Sequence, residues 1–276
     1  MKLLIILLFV ISTALPLHAQ NKNQFEEFFP ILTAEVEGEE ISPKTTAELE
    51  KLFDTQKNEI PRLFVKKLPN DFAEKGSKEL YAKIITALIL KENEKILGER
   101  YLFLLLKEKA DKGIEWNQKE KQFFDYLVEK YDAVVLKTTP TKITDLLYKI
   151  DEIPPALAIT QSAVQTNWGK ENMQSPYGQK GWLDRENYDF IKYPNLVEAT
   201  QKYVIEMNST PNYDNWRLQR ANQNYQQKRQ GSFQIIQSVR TYMPEDVNYL
   251  AKLTNLINGN KFIYNFDTAL FKKDKK

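Results

Sequence analysis

One segment of the chain combines two amides and an indole ring at helical spacing. In PPALAITQSAVQTNWG (154–169), Gln161, Gln165 and Trp168 stand at positions i, i+4 and i+7, so they share one face of a helix. Amides donate and accept hydrogen bonds, and aromatic faces stack on sugar rings. These three side chains on one face therefore predict either the wall of a ligand-binding cleft or an amphipathic helix whose glutamines are exposed to solvent.

Several kinds of chemistry are excluded by the residues that the chain lacks. The sequence contains no cysteine, and His18 is its single histidine. Because His18 lies in a segment that we expect to be removed, no Ser-His or Cys-His pair and no imidazole or thiolate metal site is expected. The remaining candidates for chemistry are Asp, Glu, Tyr, Lys, Ser and Thr, and no metal or organic cofactor is implied.

The first residues have the pattern of a secretory signal peptide. A short basic start (MK) precedes the apolar run LLIILLFVISTAL, and Leu17-His18-Ala19 forms a plausible cleavage site. We therefore expect residues 1–19 to be cleaved near Ala19 and the protein to be exported to the periplasm or the extracellular space. No second run has the length of a transmembrane helix, so no membrane span is expected.

The overall charge adds little about partners. The formal net charge is +2, which gives no reason to expect nucleic acid as a partner. The sequence leaves the oligomeric state open.

The periodicity of apolar residues predicts a mainly α protein. An irregular or partly helical lead-in is expected over 20–65, an N-terminal helical region over 66–136, and a further helical domain over 137–276. Asn117 and Glu120 have the spacing of a capping box. The segment YDFIKY (188–193) alternates loosely and predicts one arm of a small β-hairpin. Further helices are expected at 77–109, 139–150, 155–167, 195–207, 213–228 and 249–259, with another capped by Ser232.

Six segments resemble a known bacterial family. The stretch TQSAVQTNWG (160–169) is similar to the signature A-Q-A-A-x-E-S-x-W-G of glucosaminidases with a lysozyme-like fold, and IDEIPPALAI (150–159) is similar to V-D-x-I-P-P-S-L-A-L of the Bax-like branch. Downstream, SPYGQKGW (175–182) resembles N-x-L-F-G-x-W, and YVIEMNSTPNYDNWRLQRA (203–221) resembles a long motif of the same branch. Together with LPNDF (68–72) and LILKENEKILGER (88–100), the resemblance covers Leu68 to the end.

The resemblance implies a lysozyme-like glucosaminidase domain over 137–276 that acts on peptidoglycan glycan. The family's general acid is the glutamate of this signature, and Gln165 stands in its place. A glycosidase protonates the leaving oxygen with a carboxylic acid, whereas an amide has no such proton to give. Two other departures are a shorter link, Lys170 to Gln174, and the replacement of the family's motif between Tyr242 and Tyr249 by different residues.

Other residues are expected to belong to the same site. The carboxylates that could replace the missing acid are Glu171, Asp184, Glu186 and Asp189. Residues expected to contact glycan are Gln161, Trp168, Tyr177, Trp182, Tyr242 and Tyr249. The alternative is that the carboxylates are solvated surface charges and the aromatic rings belong to the core.

Three functions follow from these patterns. The first is a degenerate glucosaminidase that binds cell-wall glycan with impaired or lost hydrolysis. The second is an active peptidoglycan N-acetylglucosaminidase that uses a relocated carboxylate. The third is an envelope scaffold for protein–protein interaction, in which the cleft is vestigial.

Overall fold

A computed structural model describes residues 24–56, 59–134, 138–182, 188–225, 239 and 248–272. This part of the chain is mainly helical with small sheets, as the sequence predicts. The proposed signal peptide, the helix expected after Ser232, and the candidate residues Asp184, Glu186 and Tyr242 lie outside the described residues.

The described helices and strands follow one another in the chain as follows. The helices are α1 (Gln24–Leu32), α2 (Thr46–Leu52), α3 (Phe72–Lys75), α4 (Lys78–Asp111), α5 (Gln118–Lys130), α6 (Thr139–Lys149), α7 (Pro155–Thr166), α8 (Leu196–Ser209), α9 (Asp214–Tyr225) and α10 (Tyr249–Gly259), with 3-10 turns at Pro211–Tyr213 and Lys261–Thr268. The strands are β1 (Glu39–Ile41), β2 (Glu59–Ile60), β3 (Leu63–Val65), β4 (Lys180–Trp182), β5 (Tyr188–Phe190) and β6 (Leu270–Phe271).

The lead-in is more ordered than its sequence predicts. Two helices and three strands form between residues 24 and 65. Strand β1 pairs in parallel with β3, and β2 pairs in parallel with β6 near the end of the chain. The apolar pattern of the sequence does not predict these strands, because each strand is only two or three residues long and is stabilised by a partner that is remote in sequence.

The 34-residue helix α4 organises the core. Ser77 caps its start by accepting a hydrogen bond from the backbone N–H of Leu80. Residues 80–89 are all buried, because α1, α7, α8 and β3 cover the helix on several sides. Since α4 packs against both α7 and α8, the core is continuous across the boundary predicted at 136–137.

The residues predicted to begin several helices are confirmed by the structure. Both hydrogen bonds of the capping box between Asn117 and Glu120 are present at the start of α5. Asn195 caps α8 through the N–H of Glu198, and Pro140 occupies the first turn of α6. The predicted hairpin also forms, with β4 and β5 antiparallel and Gly181 opposite Asp189.

A buried arginine holds the segment that leads into α7. Arg220 is 3% exposed. Its guanidinium donates to the carbonyls of Tyr148, Asp151 and Glu152 and to Asn208 Oδ1, at 2.8–3.1 Å. Burial lowers the pKa of Arg220 to about 10, and Asp151 opposes that effect. The group is therefore still cationic at neutral pH.

Two further contacts fix the beginning of α7. The backbone of Ile153 exchanges two hydrogen bonds with the side chain of Asn93 on α4, at 2.8 and 2.9 Å. Asp267, near the end of the chain, accepts from the backbone N–H of Ala156 in the first helical turn. The helix that carries Gln165 is thus anchored to elements from both halves of the chain.

Candidate functional site

The end of α7 is shaped by three consecutive residues in the left-handed region. Asn167, Trp168 and Gly169 have φ values of 47°, 63° and 84°. The N–H of Trp168 bonds the carbonyl of Ala163, and the N–H of Gly169 bonds Thr166 Oγ1 at 2.9 Å. A non-glycine residue in this region stores strain, which the surrounding packing must offset. The turn directs the following residues back toward Gln165.

Gly169 is the position in this turn that tolerates substitution least. A Cβ atom there would lie 2.8 Å from the ring of Tyr81 and 2.9 Å from Leu68, besides occupying φ +84°. We expect Gly169→Ala to lower the free energy of unfolding by about 1–3 kcal/mol, measured by urea denaturation. Gly113→Ala is the matched control, because Gly113 has φ +68° but no atom within 4 Å of the added carbon. Equal losses in the two variants would contradict a role for the close contact.

A cavity of about 350 Å³ opens beside the C-terminal end of α7. Three segments form it: the last turn of α7, the loop after the left-handed turn, and β5 with the residues that follow. The residues that line it are Gln165, Asn172, Met173, Gln174, Ser175, Asp189, Phe190 and Lys192. Its size lies near the lower limit of small-molecule sites, about 300–1,000 Å³.

The lining of this cavity is rich in neutral hydrogen-bonding groups. Three amides and the hydroxyl of Ser175 face it, and Ser175 is 7% exposed. The Ser175 oxygen has no hydrogen-bond partner within the described chain. A buried hydroxyl without a partner is uncommon, so it is available to a ligand. Asn172 Nδ2 donates to the carbonyl of Gln165 at 3.4 Å, which joins the loop to the helix.

Strand β5 contributes an aromatic ring and a carboxylate to the cavity. Phe190 is exposed, and the ammonium of Lys180 lies 5.2 Å from its ring centroid. Asp189 is also exposed, and its Oδ1 accepts from the N–H of Phe190 at 2.7 Å. The combination of amides, a hydroxyl and an exposed ring matches the chemistry that binds neutral polyhydroxy ligands.

Most of the other aromatic residues proposed for glycan contact are part of the core. Trp168 packs edge-on against Tyr81 and beside Phe262, and Lys78 lies 5.2 Å from its ring centroid. Tyr177 is fully buried and stacks on Tyr203 with 4.1 Å between ring centroids. The expected glycan contacts at Trp168 and Tyr177 are therefore corrected to packing roles.

The same correction applies to Gln161 and Tyr249. Gln161 is 0% exposed. Tyr203 donates to its Oε1 at 2.6 Å, and its Nε2 donates to the hydroxyl of Tyr249 at 3.3 Å. Gln161 thus links α8 to α10 inside the protein, and neither Gln161 nor Tyr249 lines the cavity.

The remaining predicted residues are placed as follows. Glu171 is exposed, accepts from Asn167 Nδ2 at 2.9 Å and does not line the cavity. Trp182 pairs with Tyr188 in the hairpin, but its side chain lies outside the described part of the structure. Of the predicted residues whose side chains are described, Gln165 and Asp189 are the two that the fold brings to one cavity.

A carboxyl group on α8 that no sequence pattern identifies lies next to Gln179, the residue before β4. Glu206 on α8 accepts from Gln179 Nε2 at 2.5 Å and from the hydroxyl of Tyr213 at 3.5 Å. Burial raises the pKa of Glu206 above its usual value, and the two donated hydrogen bonds oppose that effect. In sequence, Glu206 is one of many helical glutamates, so only its tertiary neighbours distinguish it.

The raised pKa makes a prediction about the pH dependence of stability. A carboxyl group whose pKa is higher in the folded state stabilises the fold below its unfolded pKa, and this contribution is lost as pH rises through the folded pKa. We expect Glu206→Gln to raise the free energy of unfolding at pH 7 by on the order of 1 kcal/mol, or about 2–4 °C in Tm. The gain should vanish near pH 4. Thermal unfolding across this pH range measures it, and a gain that is independent of pH would contradict the assignment.

Among the described residues, no group of three or more His, Cys, Asp or Glu side chains is arranged to hold a metal ion. In the same part of the chain, none of the helices has the length and apolar character needed to cross a bilayer.

Comparison with known proteins gives no relative. The chain matches no family model. No curated protein and no solved structure is significantly similar to it.

Proposed function

We propose that this chain is an exported Bax-like protein of the glucosaminidase family that binds peptidoglycan glycan with impaired or lost hydrolysis. The observation that carries the proposal is the position of Gln165, which lines the cavity at the end of α7 together with other hydrogen-bonding side chains. In the family whose signature TQSAVQTNWG (160–169) resembles, a catalytic glutamate stands at this position. A lysozyme-like domain fold is part of the same proposal.

The chemistry of an amide supports binding over cleavage. Gln165 can donate through its nitrogen and accept through its oxygen, as sugar hydroxyl and acetamido groups require. It cannot protonate a glycosidic oxygen, because a carboxamide is not an acid near neutral pH. Loss of a general acid lowers the rate by about 10²–10⁴-fold. Binding through hydrogen bonds and stacking needs no such proton.

Binding and cleavage are tested separately with purified protein and insoluble peptidoglycan. We expect the protein to co-sediment with peptidoglycan and to release few or no soluble muropeptides, as measured by liquid chromatography. Phe190→Ala should weaken binding about 2–10-fold by removing the exposed ring. Ile191→Ala is the matched control, because Ile191 is the adjacent exposed hydrophobic residue but does not line the cavity.

Three outcomes would contradict this function. Robust muropeptide release by the wild-type protein would show that hydrolysis is retained. Failure of the folded wild-type protein to co-sediment with peptidoglycan would show that the cavity does not bind this glycan. Equal co-sedimentation of Phe190→Ala and Ile191→Ala would show the same.

One observation favours the second function, an active N-acetylglucosaminidase that uses a relocated carboxylate. Asp189 lines the same cavity as Gln165. A carboxylate there is a candidate for the relocated acid. If the wild-type protein hydrolyses glycan, Asp189→Asn should abolish turnover, whereas Glu171→Gln should not, because Glu171 does not line the cavity. Retained turnover in Asp189→Asn would exclude Asp189 from this role.

A further inference from the structure

A second cavity, of about 550 Å³, adjoins the cavity beside Gln165. Met173 and Gln174 line both cavities, and both are open to solvent. Lys192 lines the first cavity, and Tyr193, the next residue, lines the second. The two cavities are therefore neighbours on one surface, and a chain-like ligand longer than the first extends toward the second.

The second cavity differs from the first in its charge. Lys66 and Lys67, directly after β3, both line it, and none of its described lining residues is an Asp or a Glu. In the cavity beside Gln165, by contrast, Asp189 accompanies Lys192. A ligand that passes from the first cavity into the second therefore moves from balanced charges to a cationic surface.

Lys67 is the cation of the second cavity that no carboxylate neutralises. Lys66 Nζ lies 3.4 Å from Glu40 Oε2, so its charge is compensated. Lys67 is exposed, and its ammonium forms neither a salt bridge nor a hydrogen bond within the part of the chain that the structure describes. An ammonium group in this state attracts an anionic group and can donate hydrogen bonds to it.

The fold holds Lys67 close to the wall that the two cavities share. The N–H of Leu196, at the start of α8, donates to the carbonyl of Lys66 at 2.9 Å. Three residues earlier, the N–H of Tyr193 donates to the carbonyl of Gln174 at 2.8 Å. One short connection thus joins the strand end that carries Lys67 to the loop that lines both cavities.

The rest of the lining suits a sugar. Tyr193 is partly buried, and burial raises the pKa of its hydroxyl to about 12, so the group remains a neutral donor at neutral pH. Asn70 adds an exposed amide, and Leu68 and Leu196 add apolar surface. Hydroxyl, amide and apolar groups together match the mixed surface of a sugar ring.

We infer that the second cavity receives a carboxylate carried by the glycan and that Lys67 binds this group. The inference rests on the glycan-binding function proposed above and narrows its ligand to amino-sugar polymers with carboxylate groups. Peptidoglycan carries such groups on the lactyl substituent of muramic acid or, where a peptide is attached there, on the peptide. Chitin oligosaccharides share the N-acetylglucosamine units but have no carboxylate.

The inference is tested by isothermal titration calorimetry with two soluble probes, a peptide-free peptidoglycan tetrasaccharide and chitotetraose. In about 10 mM salt, the wild-type protein should bind the peptidoglycan tetrasaccharide about 2–5-fold more tightly, because one exposed ion pair is added. This preference should disappear in about 1 M salt, which screens exposed charges beyond ~3 Å. A peptidoglycan tetrasaccharide with its peptides attached distinguishes the two sources of the carboxylate, since its lactyl groups are in amide linkage.

Three variants assign the preference to one residue. Lys67→Gln should lower the affinity for the peptidoglycan tetrasaccharide to that for chitotetraose, whereas Lys67→Arg should keep the preference. Lys170→Gln is the matched control and should behave as wild type. Lys170 is exposed and follows Gly169 of the cavity lining, but it does not line the cavity itself.

Two results would overturn the inference while leaving the proposed function intact. One is equal affinity of the wild-type protein for chitotetraose and for both peptidoglycan tetrasaccharides, with binding that Phe190→Ala weakens. The other is an equal loss of preference in Lys67→Gln and Lys170→Gln. If the folded protein binds none of these oligosaccharides, the proposed function fails together with the inference.

Discussion

Gln165→Glu is expected to raise the rate of peptidoglycan hydrolysis by about 10²–10⁴-fold over the wild-type protein. The substitution restores a carboxyl group at the position where the resembling family carries its general acid. Gln165 lines the cavity together with Asp189, so the variant would place two carboxyl groups at one site, as glycoside hydrolysis requires. Release of muropeptides from purified peptidoglycan, followed by liquid chromatography, measures the rate.

The control for this gain is a carboxyl group placed elsewhere in the same cavity. Gln174→Glu introduces one into the loop that faces α7, where Gln174 is exposed and lines the cavity. If position 165 is specifically that of the acid, this variant stays inactive. The activity of Gln165→Glu should also fall as pH rises through the pKa of the new carboxyl group, because only its protonated form donates. Equal activity of the two variants would contradict the assignment of position 165.

The second large effect concerns Arg220 and the stability of the fold. Arg220→Met is expected to lower the free energy of unfolding by about 3–5 kcal/mol, because it leaves the backbone carbonyls that Arg220 bonds without this donor and removes the cation beside the buried Asp151. Arg220→Lys should recover only part of this loss, since one ammonium cannot reproduce the fork that bonds Tyr148, Asp151 and Asn208. Chemical denaturation at pH 7 measures both variants.

Arg62 provides the comparison for Arg220. Its guanidinium forms two hydrogen bonds to the carboxylate of Glu94, at 2.8 and 2.9 Å, but both side chains are partly exposed. Solvent screens this pair, so Arg62→Met should cost about 1 kcal/mol or less for the lost ion pair. A loss at Arg220 no larger than the loss at Arg62 would show that the buried network contributes little to stability.

The segment 203–221 contains two arginines, Arg217 and Arg220, whose structural roles could not be predicted from the sequence. Arg217 donates to the carbonyls of Met207 and Thr210, and Arg220 donates to the segment before α7. In the sequence they are two positive charges on a polar helix. Their role depends on carbonyl groups that lie as many as 72 residues away, and no local pattern records such partners.

The candidate site could be predicted only in part, because the contacts of its residues also depend on partners that are remote in sequence. Helical spacing correctly put Gln161 and Gln165 on one helix, whereas Trp168 lies beyond its end, and only Gln165 of these three lines the cavity. Tyr203 and Tyr249 bond the amide of Gln161 in the interior. The left-handed turn that starts at Asn167 moves Trp168 off the helical path into contact with Tyr81.

The mainly α class, the starts of helices at Ser77, Asn117 and Asn195, and the presence of the hairpin could all be predicted from the sequence. These features depend on side chains and backbone groups a few residues apart, so a local pattern contains the information. Which polar groups face a cavity, and which form their hydrogen bonds in the interior, depends instead on how the helices pack. Burial of Gln161, the raised pKa of Glu206 and the opening beside Gln165 all depend on which remote elements cover each face of a helix, because periodicity defines a face but not its neighbour.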